Sequence, residues 1–192
     1  MSKKNQRPIE VVLKIVYLIL HGEKWRGADP GHTRKGRRQV ESLRKFLPGW
    51  RRIRYVAAGV GKRHREISEF LNLGVSAWCP DLGGPQSLEP DKVHVCLADG
   101  TIIPFEMLRY SPRVGEAVVT LLASLPNGAI CLTGRPIARS VGIDPRQFPS
   151  ASVWRFTIRV VTKGDKIVRA RIVKRVMVGR ASDDIGGGKK EV

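Results

Sequence analysis

From Val11 to Leu20 the chain is almost continuous Val, Ile and Leu, and it then stops on His21-Gly22-Glu23. An apolar run rich in β-branched residues and closed by a polar tripeptide reads as a strand buried on both faces. Such strands belong to parallel sheets covered by helices, so this run by itself points to an α/β protein. It also singles out His21. In open α/β sheets, sites form at the carboxyl ends of the strands, and His21 stands at one.

The remaining pattern agrees with that class. Thr33 is placed to cap a helix from about Arg34, whose apolar stripe Val40, Leu43, Phe46 and Leu47 ends at Pro48-Gly49. Ile53–Ala58 reads as a second strand. Lys62–Leu73 reads as a second helix, with Gly74 placed to end it. Residues 75–92 are rich in Gly and Pro and read as loop, and "VHVCLADGTIIPF" reads as a hairpin about Ala-Asp-Gly. Ser111-Pro112 opens a helix carrying Val114, Ala117, Val118, Leu121, Leu122 and Leu125 at helical spacing. Ala129–Thr133 is another buried strand, with a short helix following from Pro136.

The last third alternates. Trp154, Phe156, Ile158 and Val160 interleave with Arg155, Thr157 and Arg159; after a Lys-Gly-Asp turn, Val168, Ala170 and Ile172 interleave with Arg169 and Arg171. That is an antiparallel hairpin with one apolar and one arginine face. The order of elements predicts a three-layer α/β/α sandwich with a mostly parallel sheet, ending in the antiparallel hairpin. It forms a single domain over 9–180, between a flexible N-terminus, 1–8, and a disordered tail, 181–192. His21, Gly59 and Thr133 each follow a predicted strand, so all three meet at one edge of the sheet.

Lys and Arg number 35 against 17 acidic residues, a net charge of +18. Such a chain attracts phosphates, nucleic acid and anionic surfaces, although charge does not bear on fold. The basic residues concentrate in Arg34, Lys35, Arg37, Arg38, Arg44, Lys45, Arg51, Arg52 and Arg54, and again in Arg155, Arg159, Arg169 and Arg171. Trp25, Trp50 and Trp154 offer stacking surface near them, but no aromatic RNP run or GXXG clamp is present. Non-specific, salt-sensitive nucleic-acid binding is therefore the expectation, not sequence recognition. Cys79, Cys96 and Cys131 have no metal or disulfide spacing, and no apolar run is long enough to span a bilayer. The expectation is a cytoplasmic protein without metal or cofactor and without a membrane partner. Its oligomeric state is open. His32 and His64 read as exposed loop and helix residues.

"VYLILHGE" followed by "HTRKGRRQVESLRKFL" resembles the histidine phosphatase superfamily, also called phosphoglycerate mutase-like. That family opens with Arg-His-Gly at the end of its first strand and Leu-Thr-x-x-Gly-x-x-Gln at its first helix. His21-Gly22-Glu23 and Thr33, Gly36 and Gln39 match. "GVGKRHREIS" is similar to the family's next block through Arg63, and "GAICLTGRPIARSVG" to the strand carrying its second histidine. The resemblance implies a phosphoglycerate mutase-like fold, with His21 as the nucleophile that takes a phosphoryl group. Arg63, Thr133, Arg135 and Thr33 would stand around the phosphate, and Asp81 or Glu106 would supply the acid. Two slots depart from the pattern: Leu20 stands where the family has an arginine, and Thr133 where it has its second histidine. Loss of one preorganised donor costs about 10²- to 10³-fold in rate. The expectation is a weak or inactive phosphatase that binds a phosphorylated small molecule or phosphoprotein. The alternatives are an active phosphomonoesterase and a basic nucleic-acid-binding adaptor.

Overall fold

The computed structural model describes residues 8–27, 29–47, 49, 53–79, 82–83, 94–96, 102–104, 112–143 and 151–182. In chain order they form β1 (Ile9–Leu20), α1 (Arg34–Glu41) with a 3-10 continuation (Ser42–Phe46), β2 (Val56–Ala58), α2 (Lys62–Leu71), β3 (Ala77–Trp78), β4 (His94–Cys96) and β5 (Ile102–Pro104). Then come α3 (Pro112–Ser124), β6 (Ala129–Thr133), α4 (Arg135–Ser140), β7 (Ser152–Lys163) and β8 (Lys166–Arg180). Six strands make one sheet in the order β3-β2-β6-β1-β7-β8, while β4 and β5 pair with each other. The β1–β6, β2–β6 and β2–β3 ladders are parallel, and β1–β7 and β7–β8 are antiparallel. Only β7 runs against the rest, so the sheet is mostly parallel and ends in the expected hairpin.

The two sheet faces bury different sets. Val16, Leu18 and Leu20 of β1 join Phe156, Ile158 and Val160 of β7 beneath Leu122 of α3 and Ile137 of α4. Ile19 and Val153 join Ile130 and Leu132 of β6 beneath Val40, Leu43, Ile67 and Leu71. Helices therefore cover both faces around the C-terminal half of β1, giving the α/β/α layers.

Beyond that half the cover ends, which corrects the reading of β1 as buried throughout. β6 joins β1 only from Val16, and Ile9, Val11 and Leu13 are 68%, 52% and 65% exposed. An unbroken apolar run cannot say where its partners stop. Other corrections are local. The first helix tightens to 3-10 at Ser42, and the second ends at Leu71 because Asn72 takes the left-handed conformation (φ 54°), before Gly74 is reached. Ala77–Trp78 is a short edge strand inside the stretch read as loop. In β8 the register skips Val168, Val173 and Val178, each an exposed bulge residue; Val168 is therefore not part of the apolar face. Bulges at this spacing twist an edge strand away from further pairing. Residues 1–7 and 183–192 lie outside the described residues.

Candidate functional site

His21 sits one residue past β1 and is 6% exposed. Its Nδ1 lies 2.8 Å from the Gly22 carbonyl oxygen. That oxygen can only accept, so Nδ1 carries the proton and the Nε2 lone pair is left free. Burial, reinforced by the positive charges of Arg63, His32 and Arg135, pushes the His21 pKa down to about 3, against a smaller upward pull from Gly22. The ring is neutral at physiological pH, as a nucleophile must be.

The motif around it is explained by packing. A methyl group on Gly22 would overlap the backbone of Gly36, and one on Gly36 would overlap the Glu23 carbonyl, so α1 lies directly on the loop after β1. Gln39, 1% exposed, accepts the Glu23 amide at 2.8 Å and ties the same loop to the helix. Thr33 caps α1: its Oγ1 accepts Gly36 N at 3.0 Å and donates to Glu23 at 2.9 Å. The Thr33 hydroxyl proton is thus engaged within the protein.

Arg63 enters from the first turn of α2 and is 3% exposed. Its Nε and Nη1 have no hydrogen-bond partner among the described residues. Burial lowers its pKa and Asp29 opposes this, but a guanidinium stays charged. Asp29, in the loop between β1 and α1, also reaches the start of α2 and accepts Lys62 N at 2.9 Å. A buried cation with orphaned donors is costly in an empty site and favourable beside an anion.

Two histidines read as exposed are buried, and this is the largest correction in the site. His32 has its side chain fully buried; its backbone N and Nδ1 bond Glu66 Oε2 at 2.6 and 2.8 Å, while Nε2 has no partner. Its ring stands 6.3 Å from that of His21. His64 is 0% exposed and pressed against Gly59 and Gly83, where a methyl on Gly59 would collide with its ring. Burial lowers the pKa of both. Lys24, half-buried, is lowered by burial and then by Arg63 and Arg135, which places it by the same pocket. Neither polarity nor spacing marked His32, Glu66 or Lys24, because a loop folded back on a helix brings them in.

Arg135, exposed at the first position of α4, also acts on His21 electrostatically. Thr133 is fully buried and donates its hydroxyl proton to the Leu82 carbonyl at 2.6 Å. Leu20 and Thr133 are Cα partners in adjacent strands. The two departures from the family pattern therefore lie side by side, and the buried hydroxyl is satisfied by the loop above. Asp81 and Glu106 lie outside the described residues. Among the described residues no group of three or more His, Cys, Asp or Glu could hold a metal ion. Among the described residues no helix is long and apolar enough to cross a membrane.

No family model matches the chain, and no curated protein matches it in sequence. Solved structures do match in shape. One is TTHB049 from Thermus thermophilus, at 19% identity and TM-score 0.52, covering 84% of this chain and 98% of that one. A second is the open reading frame Rv3214 product of Mycobacterium tuberculosis, at 16% and 0.52, covering 87% and 98%. A third is the mycobacterial glucosyl-3-phosphoglycerate phosphatase Rv2419c, at 13% and 0.51, covering 83% and 96%. Identities this low establish the fold alone. The fold is that of the histidine phosphatases, phosphoglycerate mutase-like, as the resemblance implied.

Proposed function

We propose that the His21 pocket binds the phosphoryl group of a phosphorylated small molecule or phosphoprotein, and that turnover there is weak or absent. The observation that carries this reading is Arg63, a buried guanidinium with two unpartnered nitrogens beside a neutral histidine. Lys24, His32 and Arg135 add positive charge or potential donors around it, and Asp29 and Glu66 are engaged with backbone or histidine. A multiply charged anion satisfies all of these at once.

The chemistry available is phosphoryl transfer to His21. Its Nε2 lone pair would attack phosphorus as the bond to the leaving oxygen breaks, and that oxygen would take a proton from an acid, Asp81 or Glu106. Water, giving its proton to that carboxylate, would then attack phosphorus as the P–N bond breaks, releasing phosphate and restoring both the acid and the imidazole. Charge developing on the equatorial oxygens needs donors set in advance. Leu20 has none and the Thr133 proton is held by Leu82. Two such losses lower the rate by on the order of 10⁴- to 10⁶-fold if independent.

One observation favours a second reading, an active phosphomonoesterase. His32, held through Nδ1 by Glu66 and with Nε2 unpartnered among the described residues, stands by His21 and would become a replacement donor on taking up a proton alongside a bound phosphoryl group. Phosphate binding and para-nitrophenyl phosphate hydrolysis, measured on the parent chain, His21→Ala and Arg63→Met, decide between them. The first reading expects inorganic phosphate to raise Tm in the parent and not in Arg63→Met, with turnover absent or well below the ~1 s⁻¹ of ordinary enzymes. Turnover at or above that rate, abolished by His21→Ala, would establish the second. Equal phosphate response in the parent and Arg63→Met would refute the pocket.

A further inference from the structure

α3 covers one face of the β7–β8 hairpin; the opposite face of this outer half, left open by the described helices, carries a second concentration of charge, remote from His21. Along β7, Val153, Arg155, Thr157, Arg159, Val161 and Lys163 share one side, and Val153 fixes it as the side of α1 and α2. From Arg155 onward their partners are Tyr17, Ile15, Leu13, Val11 and Ile9 on β1, and Val176, Lys174, Arg171, Arg169 and Lys166 on β8. The β8 bulges keep this pairing on one side. No Asp or Glu stands in these rows.

Stability does not explain such a face. Arg159 and Arg171 are directly opposed, a pairing that destabilises an antiparallel sheet. Both are exposed, as is Arg169, and none of the three forms an ion pair with a described residue. Together with Val161 they line a cleft of about 120 Å³. Beside the cations runs an exposed apolar column, Ile9, Val11 and Leu13, continued by the half-buried Tyr17. At its upper end the 3-10 segment lies over the sheet, with Phe46 against Gly179, and brings exposed Arg44 and Lys45 to the same side. Arg44 and Lys45 of the first basic stretch thus share one side of the sheet with the hairpin arginines.

We propose that this open face binds single-stranded nucleic acid without sequence preference. Phosphates would follow Arg155, Arg159, Arg169, Arg171 and Lys174, and base faces would rest on Val11, Leu13 and Tyr17. A linear run of cations flanked by an apolar and aromatic column matches a strand that presents phosphates on one edge and bases on the other. A second copy of the chain would set arginine against arginine. A membrane would call for an apolar centre with a basic rim, whereas here the apolar column lies along one edge. This inference does not rest on the His21 pocket.

The test is fluorescence anisotropy of a labelled mixed-sequence 20-nucleotide RNA with the full chain, over a series of salt concentrations. It compares the parent with Arg159→Gln/Arg169→Gln/Arg171→Gln and with a control that removes equal charge elsewhere, Arg54→Gln/Lys62→Gln/Arg65→Gln. All six positions are exposed, and circular dichroism verifies the folds. The expected result is that the hairpin variant binds at least ~10-fold more weakly, with a log–log salt slope shallower by about 2, at ~0.7 per lost contact. The control should bind nearly as the parent. Equal weakening in the two variants, displacement of RNA by millimolar inorganic phosphate, or binding to phosphatidylserine vesicles but not to RNA would each overturn the proposal.

Discussion

Acid should destabilise this fold through its buried histidines, and His21 provides the clearest measure. Its pKa is about 3 in the folded chain against 6.5 ordinarily, chiefly because burial disfavours the cation. Since the folded value is the lower one, the unfolded chain binds the extra proton, and stability present above pH 6.5 is lost as pH falls toward 3. Between pH 6 and 4 the unfolded ring is mostly protonated and the folded ring is not. The loss approaches 1.36 kcal/mol per pH unit, or about 2.5 kcal/mol over that interval from this residue alone. That is a substantial part of the 5–15 kcal/mol available to a typical domain. His32 and His64 are lowered by burial too and act in the same direction. The assay is urea unfolding followed by circular dichroism at pH 6 and pH 4, for the parent and His21→Gln. The glutamine cannot titrate, and its amide can still donate toward Gly22. The parent should lose about 2.5 kcal/mol more than the variant between the two pH values. Equal losses would mean that His21 titrates alike in both states, and the account of a buried neutral nucleophile would fail.

Gly36→Ala forces a methyl group into the Glu23 carbonyl, where backbone meets backbone, and should cost about 1–3 kcal/mol or more in urea unfolding. Glu66→Gln removes the negative charge opposite His32, so the His32 pKa, read by NMR titration, should fall further. By contrast, Leu13→Lys alters a side chain that is 65% exposed and should leave Tm within the range of a ±0.5 kcal/mol change. A large loss there would show that the outer half of β1 is covered.

Local signals were reliable where local geometry decides. Thr33 caps a helix because its side chain reaches an amide three residues on, and Gly22 and Gly36 mark the close approach of loop and helix. The alternation of Trp154 to Val160 predicted a half-buried strand, and β7 buries those four side chains. Burial decided by distant elements was not legible in the same way. Ile9 to Leu13 look like core in one dimension, yet β6 begins too late to flank them and none of the described helices covers Ile9, Val11 or Leu13. His32 and His64 look like surface, yet Glu66 of α2 packs on the first and the segments at Gly59 and Gly83 close on the second.

The site divides along the same line. A strand ending on His21-Gly22, a helix capped at Thr33 and an arginine at the start of the next helix are short-range patterns, and they were enough to indicate the fold and the centre of the pocket. Tertiary structure alone placed Glu66 on His32, left the Arg63 nitrogens without partners, and gave the Thr133 proton to Leu82. It also gathered the hairpin arginines on an uncovered side of the sheet. The physical reason is that a side chain's conformational pattern is set by its near neighbours in the chain, whereas its burial, protonation and unmet hydrogen bonds are set by whatever the fold brings against it.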